Sequence, residues 1–297
     1  MLKKGQYGDI IIRFTKGNKQ LKKYFIVSDI HSFYNPLING LKKAGFDKNN
    51  ENHILVVAGD LFDRGDDSLK VYNFITSLPV ERRILIRGNH EDMLCDICDR
   101  GYLEDFNYYN GTDSTIFQLL DVERNPVLHE KKTFYTLMDK FKKTGIYEWI
   151  KGPEWQDYLE LGKFLIVHSF FPLHDSGMDS IYNQDYESLS YFPSWRKFPS
   201  NSISWQESRW GCPYELFEHF FVTERKQGKV LVCGHWRVQD FHLKYENKGN
   251  DSHLYCQKGL IGLDACTAVT SRTNVLIIED GTFKCFDGEN QKELNPD

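Results

Sequence analysis

Short apolar runs recur along the chain, and each stops at a glycine, a carboxylate, an amide or an imidazole. Tyr24 to Ser28 stops at Asp29, and Ile54 to Ala58 stops at Gly59-Asp60. Arg83 to Ile86 ends just before Gly88-Asn89, Phe164 to Val167 ends at His168, and Lys229 to Cys233 ends at Gly234-His235. The runs are of strand length and barely alternate, which predicts strands buried on both faces. Between the early runs, Pro36 to Ala44 and Ser68 to Ser77 space their apolar residues as helices do, with Ser68 as a cap. Strand–helix–strand alternation predicts an α/β fold, with chemistry gathered at the carboxyl ends of the strands.

Two stretches break the alternation. Glu91 to Gly162 is charged and aromatic, with helix-like segments near Asp113 to Leu120 and Thr133 to Trp149. Phe170 to Cys212 is rich in Ser, Pro, Tyr and Trp and reads as irregular loop. Both are expected to cover the site as insertions, at about 100–160 and 170–215, within one domain spanning 1–297. Their aromatic side chains are expected mainly to pack a lid on the core. Further on, Asn274 to Ile278 and Thr282 to Phe286 flank Asp280-Gly281, a hairpin signal.

Composition narrows the class. Hydrophobic residues make up 40% and charged residues 27%, as in ordinary soluble proteins. A net charge of -5 offers no footprint for a nucleic-acid partner or an anionic membrane. The longest apolar runs are too short to span a bilayer, and Met1 to Gln20 has no signal-peptide pattern. A cytoplasmic protein is expected. The seven cysteines form no framework, and Cys95-x-x-Cys98 lacks the second pair that structural zinc needs, so buried helix cysteines are expected there.

The strand ends carry the chemistry. Asp29 and His31, two apart, share a face and can reach one metal. Alone, that pair reads as a turn carboxylate beside a surface histidine. Asp60 at the next strand tip could bridge two cations, with Asp63 one loop turn behind it. Arg64 offers a planar cation suited to phosphate oxygens. Asn89 supplies an amide oxygen, and His90 is a candidate general acid that Asp63 could orient. His168 and His235 end two further strands. A lone histidine there is usually structural, but these lie downstream of a half-built metal site. The set can hold two divalent metals and points to metal-assisted phosphoester hydrolysis.

In this order the motifs Asp29-x-His31, Gly59-Asp60-x-x-Asp63-Arg64-Gly65, Gly88-Asn89-His90-Glu91, His168 and Gly234-His235 resemble the calcineurin-like metallophosphoesterases. Arg64 and Glu91 are similar to the phosphoprotein phosphatase branch. The His168-Ser169-Phe170 context lacks a double glycine and looks closer to bacterial and phage enzymes of the bacteriophage lambda type. The resemblance implies a four-layer α/β/β/α sandwich with a dimetal site. It implies Asp29, His31 and Asp60 on one metal, and Asp60, Asn89, His168 and His235 on the other. His90 would be the acid, Asp63 its partner and Arg64 the phosphate ligand, with Arg209 as a second arginine or, equally, an arginine packed on Trp205 or Trp210. Mixed carboxylate, imidazole and amide ligation suits manganese, iron or zinc without choosing among them, and two divalent ions, manganese foremost, are expected. The implied activity is a serine/threonine phosphatase-like phosphomonoesterase, with water made nucleophilic between the two cations. A phosphorylated protein or small phosphoester would be its substrate. The alternatives are a dinucleoside tetraphosphate hydrolase or phosphodiesterase, and more remotely a metal-binding scaffold without catalysis. Oligomeric state is not legible.

Overall fold

The structure, a computed structural model, describes residues 21–123, 131–173, 195–212, 216, 220 and 224–297. Two sheets lie at its centre. The first contains β1 (Lys23–Val27), β2 (His53–Ala58), β3 (Arg83–Ile86) and β4 (Trp155–Gln156), together with β10 (Leu276–Glu279), β11 (Lys284–Asp287) and β12 (Glu293–Leu294). Its order is β12-β11-β10-β1-β2-β3-β4, parallel from β1 to β4 and antiparallel beyond. The second contains β5 (Tyr158–Leu161), β6 (Phe164–Val167), β7 (Val230–Cys233), β8 (Tyr255–Gln257) and β9 (Leu260–Gly262), in the order β5-β6-β7-β9-β8. Strands β6, β7 and β9 run parallel.

Alternation of side chains sorts each strand into two cores. Tyr24, Ile26, Ile54, Val56 and Ala58 from the first sheet meet Phe164, Ile166, Val230, Val232 and Ile261 from the second. The opposite face of the first sheet, with Phe25, Val27, Leu55, Val57 and Leu85, is covered by helices α1 (Tyr34–Lys43), α2 (Ser68–Ser77) and α3 (Asn89–Arg100). The outer face of the second sheet packs Leu165, Val167, Leu231 and Cys233 against Trp195, Trp205 and Phe241. The expected four layers are present, and the apolar runs lack alternation because both faces are buried.

The long stretch after β3 forms α4 (Asp105–Asn110), α5 (Thr112–Leu119), α6 (Lys131–Phe141) and α7 (Gly145–Lys151). The single helix-like segment read from Thr133 to Trp149 is in fact two helices. Thr144 caps the second, its Oγ1 accepting from Tyr147 N at 3.2 Å. Ile116, Phe117, Phe134, Phe141 and Ile150 enter the same core as α1 to α3. These helices therefore extend a structural layer as well as flanking the site. In the second stretch the described residues hold α8 (Ile203–Ser208), where loop was expected. Residues 174–194 of that stretch lie outside the described residues, including Tyr182, Tyr186 and Tyr191. Trp155, Trp195 and Trp205 are buried, in line with the packing role read for the aromatics.

Ser68 is a correction: Asp67 holds the cap position of α2, and Ser68 Oγ instead bonds Ser32 Oγ at 2.8 Å. Later, α9 (Val238–Glu246) and α10 (Thr267–Thr270) complete the helices, and β10–β11 form the hairpin read around Asp280-Gly281. Cys95 and Cys98 lie on α3, and none of the seven cysteines is paired. No helix among the described residues is long and apolar enough to cross a membrane.

Candidate active site

The loops after β1 and β2 run on beyond the sheet as a ladder. Asp29 N donates to Gly59 O, His31 N to Asp60 O and Ser32 N to Leu61 O, at 3.2, 3.0 and 2.9 Å. The turns are sharp. Asp29, His31, Asp60, Asp63, Arg64 and His235 all take left-handed backbone with φ between 48° and 71°. Such conformations are uncommon for residues with side chains and persist where surroundings hold them. Glu91 is part of that hold. Its buried carboxylate accepts from Asp60 N at 3.0 Å, Leu61 N at 2.8 Å and Gly88 N at 2.9 Å. This ties the start of α3 to the loop after β2 through a capping-box contact.

Asp60 occupies the centre. Its Oδ2 lies 3.7 Å from His31 Nε2 and 3.8 Å from His90 Nε2, while Oδ1 lies 3.4 Å from His168 Nε2. Oδ1 also accepts His90 N at 3.1 Å. Two groups of converging donor atoms share this carboxylate: His31, Asp60 and His90, and Asp60, His168 and His235. Asn89 joins the second, its Oδ1 2.9 Å from His168 Nε2 and 3.0 Å from His235 Nδ1. Asp29, read as a ligand of the first metal, is absent from the first group. Both its oxygens accept the His235 N–H, at 3.1 and 2.9 Å.

The outer partners decide which ring nitrogen faces inward. His31 Nδ1–H donates to Phe62 O and His168 Nδ1–H to Ala58 O, each at 2.9 Å. The inward Nε2 atoms therefore carry lone pairs. His168 Nε2 then faces Asn89 Oδ1 and Asp60 Oδ1, acceptor against acceptor. A cation removes that conflict, so the donor set fits divalent metals. Burial drives the titration of these groups. It pushes Asp60 well above the ordinary carboxylate range, aided by Asp29 and Glu91. It pushes Asp29 up likewise, aided by Asp264. It holds His31 and His235 well below the usual imidazole value and His168 at about 3. Buried carboxylates facing uncharged imidazoles are electrostatically short of positive charge.

Two glycines make room for these carboxylates. A Cβ on Gly88 would fall on Asp60 Oδ1, and one on Gly234 would fall on Asp29 Oδ2.

Beside the cluster, His90 Nδ1–H donates to Asp63 Oδ2 at 2.7 Å. The exposed Arg64 places Nη2 3.3 Å from His90 Nε2. Asp63 is fully buried and also accepts from Thr112 Oγ1 at 2.8 Å and Thr115 Oγ1 at 2.7 Å. Neither threonine stands out in the sequence. The available signal is two polar residues three apart on one helix face, just after Gly111. Arg209 is 2% exposed, and its guanidinium is paired with Asp92 and Asp157 and donates to Asn201 Oδ1 at 3.0 Å. Neither of its expected surroundings, a phosphate or a tryptophan face, included these carboxylates. Asp264, just after β9, accepts Cys266 N at 2.7 Å as a turn carboxylate does. The half-buried Trp210 and Trp236 stand edge-to-face against His235, with ring centres 5.9 and 5.7 Å away.

Known proteins are similar to this chain. A family model described as calcineurin-like phosphoesterase matches residues 22–255. A symmetrical bis(5'-nucleosyl)-tetraphosphatase of Legionella pneumophila strain Philadelphia 1 is 26% identical over 234 residues, 71% of this chain and 82% of that one. A tetraphosphatase of the same description from Buchnera aphidicola strain Bp is 39% identical over 71 residues, and this chain spans only 24% of its length. Serine/threonine-protein phosphatase 1 of Salmonella typhimurium is 36% identical over 78 residues, 26% of this chain and 34% of that one. In three dimensions, a cold-active protein-tyrosine phosphatase of a psychrophilic Shewanella superposes with a TM-score of 0.52 at 17% identity, covering 93% of this chain and 81% of that one. That likeness concerns the fold. The family model takes in the strand ends from Asp29 to His235 and most of both sheets, and on that ground the chain belongs to the calcineurin-like phosphoesterases, metal-dependent hydrolases of phosphate esters.

Proposed function

We propose that this chain is a phosphomonoesterase of the serine/threonine phosphatase type. One observation carries the reading: acceptor atoms from both sheets converge on Asp60, immediately beside the His90–Asp63 pair and the exposed Arg64. His31, Asp60, Asn89, His168 and His235 would hold two divalent ions, manganese in this reading, with Asp29 fixing the His235 backbone or completing the first site. When bound, the ions supply Lewis-acid charge and make water nucleophilic near neutral pH.

The chain's own residues do the rest. Arg64 binds the equatorial oxygens of the phosphoryl group and balances charge that grows there. His90 delivers a proton from Nε2 to the departing oxygen as its bond to phosphorus breaks. Asp63 keeps the Nδ1 proton in place, so the ring turns its other nitrogen to the substrate. A water oxygen ends on phosphorus, and a water proton restores His90. For Arg209 to serve the phosphate as well, its guanidinium must give up Asp92 or Asp157. The reading therefore rests on Arg64.

A second reading, hydrolysis of a dinucleoside tetraphosphate, is favoured by the similarity spanning 82% of the Legionella enzyme. Incubating manganese-loaded protein with a phosphoserine peptide and with diadenosine tetraphosphate separates the two. Inorganic phosphate from the peptide supports the first; nucleoside diphosphate from the dinucleotide, with an inert peptide, supports the second. Stoichiometric metal with no turnover on either leaves a scaffold. A cytoplasmic location belongs to the same proposal.

A further inference from the structure

The acid end of the site leans on a part of the chain that carries no motif. α4 and α5 meet at Gly111, whose φ is 78°, and this corner abuts the backbone of Arg64. Asn110 O accepts Arg64 N at 3.0 Å, and Thr115 Oγ1 accepts Asp63 N at 3.1 Å. Both consecutive left-handed residues of the catalytic loop thus have their N–H groups held by this corner. The same two threonines saturate the Asp63 carboxylate. Thr115 Oγ1 donates to Oδ1 at 2.7 Å, and Thr112 Oγ1 donates at 2.8 Å to Oδ2, the oxygen that accepts His90 Nδ1–H at 2.7 Å. Thr112, Thr115 and Asp63 are each 0% exposed.

From this geometry we infer that Thr112 and Thr115 are positioning residues for the general acid, an inference that rests on the hydrolase reading of His90. The physical argument is one of counting. A buried carboxylate with a single partner could rotate about its Cβ–Cγ bond and lose the imidazole. Here three donors on two oxygens leave one orientation, with Oδ2 toward His90. Both helical donors are uncharged hydroxyls. An arginine or lysine in their place would neutralise Asp63, and the carboxylate would then attract the Nδ1 proton less. Hydroxyls fix the group and leave its charge for His90. The corner thereby ties a helical segment absent from every motif to the proton-transfer step.

The test compares leaving groups. Thr112→Val and Thr115→Val keep shape and remove only the hydroxyl. Thr112→Ser and Thr115→Ser restore it. An alkyl leaving group needs the proton, whereas dinitrophenolate leaves without one. With the full manganese-loaded chain, each valine variant should lose about 10-fold or more in kcat on a phosphoserine peptide, since a positioned acid contributes roughly 10²–10⁴-fold. On 2,4-dinitrophenyl phosphate the loss should stay within about 3-fold, because acid assistance is not needed there. The serine variants should recover most of the peptide activity. Proton NMR adds a readout independent of turnover. The low-field His90 Nδ1–H signal, assigned by its loss in His90→Asn, should move or broaden in Thr112→Val and return in Thr112→Ser. Equal losses on both esters, no loss on either, or an unmoved signal overturns the inference. If the wild-type chain hydrolyses neither ester, the hydrolase reading fails, and the NMR signal alone decides whether the threonines position the ring.

Discussion

The two flanks of Asp60 are built on opposite principles. On the metal flank, Asn89 Oδ1, His168 Nε2 and Asp60 Oδ1 point lone pairs at one another across 2.9 and 3.4 Å. On the acid flank, the His90 Nδ1–H, the Asp63 N–H and the hydroxyl hydrogens of Thr112 and Thr115 each have an acceptor. The metal flank draws its atoms from both sheets, at the ends of β1, β2, β6 and β7 and the first turn of α3. The acid flank comes from the loop after β2, the first turn of α3 and one helical corner, on the outer side of the first sheet. The difference teaches which half is self-sufficient. Unpaired buried acceptors are costly, so the metal flank reaches its stable state with cations bound. The acid flank is preformed by hydrogen bonds alone.

Asp60→Asn should break the first flank and leave the second. One carboxylate serves both ligand groups, so its loss should exceed the roughly 10–100-fold penalty of losing an outer partner of a metal site. Elemental analysis should find less than full metal, with turnover nearly abolished. The His90 Nδ1–H resonance should persist, because asparagine keeps an oxygen for the His90 N–H and Asp63 still holds the ring. Full activity in this variant would end the account of a shared bridging carboxylate.

Chelation probes the same asymmetry without mutation. Cations that bind only the folded chain stabilise it by about 2.7 kcal/mol at a concentration 100 times their Kd. Metal-stripped protein should therefore melt lower, and manganese should restore the melting temperature. Thr115→Val should show the same metal-dependent shift as wild type, since its contacts lie on the other flank. A melting temperature indifferent to chelator would contradict the cation-dependent reading.

Gly88→Ala sharpens the boundary between the flanks. The added methyl falls on Asp60 Oδ1 and Asp60 N, and Glu91 Oε2 lies 3.0 Å away. Overpacking of this kind costs about 1–3 kcal/mol. Weaker metal binding should accompany the lower stability, measured by titration calorimetry and thermal melting. Unchanged affinity would mean that the Asp60 carboxylate can move aside.

How much of this was legible depends on where each contact is encoded. β3, β6 and α2 have the bounds expected of them, because a buried strand or an amphipathic helix announces itself within a few residues. The candidate ligands were legible for a related reason: each sits just past a strand, and all but His168 lie in a short motif. The partners of Asp63 lie 49 and 52 residues away on a helix whose docking no local pattern encodes. Arg209 was visible as an arginine near two tryptophans, but Asp157, 52 residues earlier, becomes its partner only through the turn between β4 and β5. Asp29 is legible as a strand-end carboxylate, but its acceptance of the His235 N–H, 206 residues on, is encoded in no local pattern.

The pH dependence of the metal-stripped protein is the mildest test, and its sign reads the metal flank. Burial raises Asp60 and Asp29 well above their ordinary value of 3.8, and it pushes Asp264 up to about 6. Above their ordinary value these carboxylates bind more protons folded than unfolded, so falling pH stabilises the folded state. Burial holds His31, His168 and His235 below 6.5, so under that pH the unfolded state takes more protons and stability falls. The two effects compete only below pH 6.5. Thermal melting of stripped protein should therefore rise slightly as pH drops from 8 toward about 6.5, the ordinary imidazole value, and turn downward somewhere below it. Metal-loaded protein should show the reverse slope across the upper range, because protons compete with the cations for the same lone pairs. Parallel pH profiles for stripped and loaded protein would mean that the converging acceptors are not where the cations bind.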